Sequence, residues 1–275
     1  MKEFKNFKRL LYLFIGLTLV VSCSDDDDDA FVGEKHTYEL NSVAVPSISG
    51  TATFIQNEDN STTVELQLTG TPSGGMHPAH IHFNTAVEGG GVAVTLGTVS
   101  GDSGYSTITF SKLNDDTNVS FDDMIAYDGY INIHLSNDEL STIVAQGDIG
   151  QNELTGKSES YILSELAVAG ISGTATFHER TNGEALAVLD IANTPENGVH
   201  PAHIHMGDIS TPGGVLLTFN PVNGDTGMSK TNVSELNDES SFGYSDVLGV
   251  DGYINVHLSA DALGTIVAQG NIGSN

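Results

Sequence analysis

Eight of the ten histidines fall into two matching sets, and imidazole both titrates near neutral pH and ligates transition metals. The first set is His77, His80, His82 and His134; His200, His203, His205 and His257 follow, each 123 residues further on. His36 and His178 have no such counterparts. Side chains of an extended chain alternate between faces, so a strand over 78–83 puts His80 and His82 on one side and Ala79, Ile81 and Phe83 on the other. Ala202, Ile204 and Met206 oppose His203 and His205 in the same way, and Ile131, Ile133 and Leu135 oppose Asn132 and His134. The apolar faces belong to a core, so the histidines point outward. Two histidines on one strand and a third from a neighbour can offer three imidazoles to one ion. Such a set suits zinc or copper and leaves a coordination position open. The metal-ligand candidates are therefore His80, His82, His134, His203, His205 and His257. His77 and His200 precede prolines and have the wrong parity, so they join as additional ligands only where the chain bends. Two other readings stay open: a hydrogen-bonded network of imidazoles and Asn132 that holds a loop, or a patch that binds a partner directly.

The elements around these residues come in two copies. Residues 48–54 (Ile-Ser-Gly-Thr-Ala-Thr-Phe) recur at 171–177, His77-Pro78-Ala79-His80-Ile81-His82 at 200–205, and Asp128-Gly129-Tyr130-Ile131-Asn132 at 251–255. Residues 142–147 recur at 265–270, so four landmarks share one offset. The unit is too long for a solenoid or propeller repeat of about 20–50 residues, so each copy should be a whole domain. Period-two stretches such as Thr62 to Leu68, punctuated by Gly, Asn, Asp and Ser clusters, predict eight or nine short strands per copy. The one helical turn expected lies at 136–140, where Ser136 and Glu139 have capping-box spacing. With so few helices, two sheets must cover each other, giving an all-β chain of two tandem β-sandwich or barrel domains. These span 35–152 and 157–275. The short polar linker over 151–157 predicts beads with limited contact. The repeat-matched carboxylates Asp102, Asp115, Asp123 and Asp128 lack the spacing of a calcium loop and read as turn residues.

The chain opens with Lys2, Lys5, Lys8 and Arg9, followed by the apolar run 10–21, which is too short for a bilayer core of about 30 Å. Residues 1–22 resemble a cleaved export signal, and Ser22-Cys23 resembles the end of a bacterial lipobox. The resemblance makes Cys23 a lipidation site, with 23–34 as lipidated cysteine and acidic linker. The run Asp25 to Asp29 resembles the surface-export signal of Bacteroidetes lipoproteins, implying an outer-membrane protein displayed at the cell surface, or alternatively facing the periplasm. Loss of the signal leaves five cations (Lys35, Lys112, Lys157, Arg180 and Lys230) against 35 carboxylates, a net charge of −30. Such a charge excludes nucleic acid as a partner. No serine lies in a nucleophile elbow, and lipidation removes the single cysteine as a nucleophile.

The His-Pro-Ala-His-Ile-His segments, the later Tyr-Ile-Asn-Ile/Val-His strand and the closing Ile-Val-Ala-Gln-Gly resemble the CHRD domain, named from chordin. The resemblance covers nearly all of the exported chain and implies an immunoglobulin-like β-barrel, without implying a biochemical activity. Locally, Ala202 to Asp208 resembles the copper-binding strand of Cu/Zn superoxide dismutase. That likeness implies copper ligands at His203, His205 and His257, and at His80, His82 and His134. A net charge of −30 would repel superoxide and argues against dismutase turnover. The first functional reading is a non-enzymatic, lipid-anchored surface module binding an unidentified protein or ligand. The second is a His-cluster metalloprotein holding copper or zinc.

Overall fold

The computed structural model describes residues 31–275. The export signal, Cys23 and the aspartate run lie outside the described residues. The first repeat builds β1 (Lys35–Ser42), β2 (Ser49–Gln56), β3 (Thr62–Thr69), β4 (Met76–Phe83), β5 (Val92–Ser100), β6 (Tyr105–Phe110), β7 (Asp128–His134) and β8 (Ile143–Gly150). The second builds β9 (Leu154–Glu165), β10 (Ser172–Arg180), β11 (Ala185–Ala192), β12 (Val199–His200), β13 (Ala202–Asp208), β14 (Thr211–Thr218), β15 (Val222–Asn223), β16 (Met228–Val233), β17 (Asp251–His257) and β18 (Ile266–Gly273). The two eight-stranded antiparallel sheets have the same order: β5-β4-β7-β8-β1-β2-β3-β6 and β14-β13-β17-β18-β9-β10-β11-β16. They form one nearly closed barrel and one half-barrel, so the all-β expectation of two sandwich or barrel units holds.

Burial follows the alternation in the sequence. In β3 the side chains of Val64, Leu66 and Leu68 are buried, while Gln67 and Thr69 are exposed. Ala79, Ile81, Ile131 and Ile133 are wholly buried in the first core, and Ala202, Ile204, Ile254 and Val256 in the second. Phe83 and Met206 depart from their expected core positions, with exposures of 39% and 55%. Each ends its apolar row opposite a glycine, Gly129 or Gly252, past the layer that would cover it.

The helical turn also falls elsewhere. Residues 136–140 form turns, their second-repeat counterparts Ala260–Ala262 wind one 3-10 turn, and the α-helices are α1 (Phe121–Ile125) and α2 (Tyr244–Gly249). Ser120 and Asp123 form the capping box of α1, each side chain meeting the other's backbone N–H. The helices form there because Phe121 and Met124 bury together, as do Tyr244 and Val247, whereas Leu140 is 48% exposed and gains nothing from coiling.

The two repeats are not loosely strung. Leu154 already belongs to β9, and the turn after β10 hydrogen-bonds back to the connection through Thr181 N to Glu153 O and Asn182 N to Gln151 O. Arg180 is fully buried, donating to Asp148 Oδ2 at 2.7 Å, to the Asn152 carbonyl at 2.5 Å and to Asn232 Oδ1 at 2.8 Å. A guanidinium out of water needs such partners, and they come from both repeats.

Ile131 packs directly behind the histidine-bearing face. Ile131→Ala should destabilise the fold by about 2–5 kcal/mol in chemical denaturation. A loss below about 1 kcal/mol would contradict this packing.

Candidate metal centre

β4 and β7 run antiparallel with His80 opposite Asn132, Ile81 opposite Ile131 and His82 opposite Tyr130. With both isoleucines in the core, His80, His82 and Tyr130 share the other face. His134 lies two residues beyond Asn132 on that same face, diagonal to His80. β13 and β17 repeat the pairing, with His203 opposite Asn255 and His205 opposite Tyr253. His80, His82 and His134 each offer a ring nitrogen within 4.8 Å of the other two, and so do His203, His205 and His257.

Backbone carbonyls orient the rings. A carbonyl can only accept, so His134 Nδ1 donates to Leu140 O at 2.5 Å and His82 Nδ1 donates to Gly90 O at 3.0 Å. In each neutral ring this leaves the lone pair on Nε2. The second repeat does the same, with His257 bound to Leu263 O at 2.6 Å and His205 to Gly213 O at 3.2 Å. Gly90 meets the Phe83 carbonyl so closely that a Cβ there would clash, which is how the loop after β4 brings its carbonyl to His82. Tyr130 stacks on His82 with centroids 4.9 Å apart and planes 17° apart, and Tyr253 stacks on His205 at 5.0 Å. Gln146 donates to Asn132 Oδ1 at 2.8 Å, which occupies that amide oxygen.

Within each trio, His80 Nδ1 lies 3.0 Å from His134 Nε2, and His203 Nδ1 lies 3.1 Å from His257 Nε2. The Nε2 atoms of His82 and His205 are buried without a hydrogen-bond partner. His134 and His257 are each 6% exposed, covered by the loops whose carbonyls they bond, so they are less outward than strand parity alone implies.

His77 and His200 stand apart from the trios. Each is 1% exposed and donates Nδ1 to the backbone carbonyl of His134 or His257 at 3.2 Å, leaving its Nε2 buried and unpartnered. They support the third histidine's backbone from the core side. His36 is elsewhere, bound to Glu153 at 2.8 Å. The repeat-matched aspartates act as turn and cap acceptors: Asp102 takes Ser73 and Gly74 N, Asp115 takes Thr117 N, and Asp238 takes Ser240. Sequence reasoning missed the orienting carbonyls of Gly90 and Leu140, which have no side-chain signature. It also left Tyr130 and Tyr253 without a role, although they sit in a shared landmark.

No family model, curated protein or solved structure matches this chain. Among the described residues, no helix is long and apolar enough to cross a membrane.

Burial holds His80, His134, His203 and His257 below the ordinary histidine value of 6.5, and neighbouring imidazoles push the same way. The bonds to Leu140 and Leu263 act in the opposite direction on His134 and His257, by favouring their protonated rings. Once pH falls past 6.5, the unfolded chain binds more protons than the folded one. Stability is therefore full above that pH and declines as pH drops through the window below it. The melting temperature in chelator should fall between about pH 7 and pH 5, and the joint His80→Gln, His203→Gln variant should flatten that slope. An unchanged slope would contradict the burial of these rings as its source.

Proposed function

We propose that this protein binds transition metal at two centres, His80–His82–His134 and His203–His205–His257, with zinc or copper as the ion. The observation that carries the reading is the convergence of three imidazole nitrogens within 4.8 Å in both repeats, with one buried Nε2 in each trio lacking any partner. A hydrogen-bond network alone accounts for His80 on His134 and for the carbonyl contacts, but it leaves His82 Nε2 and His205 Nε2 aimed at nothing. Two nitrogens at 2.0–2.1 Å from one ion lie about 2.8–3.4 Å apart at angles of 90–109°, which matches the 3.0 and 3.1 Å pairs. Moving the His80 proton to Nε2 frees its Nδ1 lone pair to join those of His134 Nε2 and His82 Nε2. The Nδ1–H bonds to carbonyls are the contacts that hold metal-binding imidazoles in the right tautomer.

In this reading the chain is a non-enzymatic, CHRD-type module of the outer membrane, held by lipid at Cys23 and displayed at the cell surface. That placement rests on the basic start, the apolar run and the cysteine. The trios are flanked by exposed apolar side chains at matching positions, Val92 and Val215, Leu140 and Leu263, which supports a surface that also meets a partner.

Elemental analysis of protein loaded with zinc or copper and then desalted tests the metal reading. About two equivalents should remain, falling to about none when His80, His82, His203 and His205 become alanine. Retention of the same metal content by that variant would overturn it.

A further inference from the structure

We propose that Arg180 of the second repeat is a positioning residue for the histidine trio of the first, so that the two centres are unequal. The inference rests on the metal reading above and concerns how one of its sites is held. Arg180 donates to Asp148 Oδ2 and to the Asn152 carbonyl. Both residues clamp the loop after β4. Asp148 Oδ1 accepts Ala86 N at 2.7 Å, and Asn152 Nδ2 donates to Asn84 O at 3.1 Å. The loop between those clamps and β5 carries Gly90, whose carbonyl accepts His82 Nδ1. Hydrogen bonds and the short backbone segment from Ala86 to Gly90 thus join a buried cation in one repeat to a ligand ring in the other.

The second repeat keeps the clamps and lacks the cation. Asn271 and Asn275 stand 123 residues after Asp148 and Asn152. Asn271 Oδ1 accepts Ile209 N at 3.1 Å, and Asn275 Nδ2 donates to Gly207 O at 3.2 Å. The hairpin they hold joins β13 to β14, and Gly213 of β14 accepts His205 Nδ1. Among the described residues the side-chain bonds of both asparagines go to backbone groups, with no arginine or lysine among their partners. In the first repeat, the position matching Arg180 is Asn57. The charge-assisted bonds of the junction, shorter and stronger than neutral ones, therefore tie the first loop to Arg180, whereas the second hairpin is held by its own strand pairing, by Asp208 on Ser210 and Thr211, and by the two asparagines.

The test reads each centre alone, the first in a His203→Ala, His205→Ala background and the second in a His80→Ala, His82→Ala background. Cobalt is the probe, followed by its visible ligand-field bands, with zinc competition for affinity. Arg180→Met should weaken the first centre by about 10–100-fold and shift its bands, while the second stays within about twofold. Arg180→Lys should recover part of the loss. Asp148→Asn, which copies the second repeat's clamp, should also weaken the first centre and gives the same reading if Arg180→Met does not fold. Equal losses at both centres, or no loss at the first, would overturn the inference. Absence of cobalt binding at either trio in these backgrounds with Arg180 and Asp148 intact would sink the metal reading, and this inference with it.

Discussion

Strand parity is the constraint on which the rest depends. Ile81 and Ile131 face each other across β4 and β7 and are wholly buried. Moving either strand by one residue would expose the isoleucines and drive imidazoles into the core, at a cost of several kcal/mol for each unpaired polar group. The apolar core therefore places the histidines on the opposite face without any contact among them being needed. Their chemistry is set afterwards, by the loops. Carbonyls of Gly90 and Leu140 hold protons on Nδ1 of His82 and His134, and Tyr130 supports the ring of His82 from one side. Packing thus chooses the face, and backbone acceptors choose which nitrogen looks inward.

Much of the fold was legible because alternation and repetition are both written in side-chain types. The 123-residue offset identified two units, and the Ala-x-Ile-x pattern between histidines assigned the faces of β4 and β13. What stayed illegible depends on backbone or on contacts between distant segments. No residue type announces that Gly90 will offer its carbonyl to a histidine eight positions earlier. The helix at Phe121–Ile125 is hidden in the sequence because its start, Ser120 with Asp123, is a capping box using aspartate, a residue type that reads equally well as a turn former. Ser136 and Glu139 have the same spacing and no apolar face to bury. Arg180 carried a readable signal, a cation where the first copy has Asn57, but its partners in the connection could be found only in three dimensions.

Charge and site chemistry pull in different directions. With 36 carboxylates against nine cations, the chain raises the local concentration of any divalent cation. Carboxylate oxygens favour hard ions such as calcium and magnesium, and the aspartates of the turns are already engaged by hydroxyls and backbone N–H groups. Imidazole nitrogen prefers zinc and copper. An acidic surface that gathers cations, with two nitrogen sites that discriminate among them, is a coherent division of labour for a metal-binding module. The neutral state of the trios is helped by the burial that lowers the affinity of His80 and His203 for protons.

The central claim is that nitrogen, and not the abundant surface oxygen, binds the metal. Electron paramagnetic resonance of the copper(II)-loaded protein tests this most directly. Three-imidazole coordination predicts nitrogen hyperfine structure from several equivalent nuclei at both centres. An oxygen-only spectrum would contradict the account, because it would place the ion on the carboxylates of the surface.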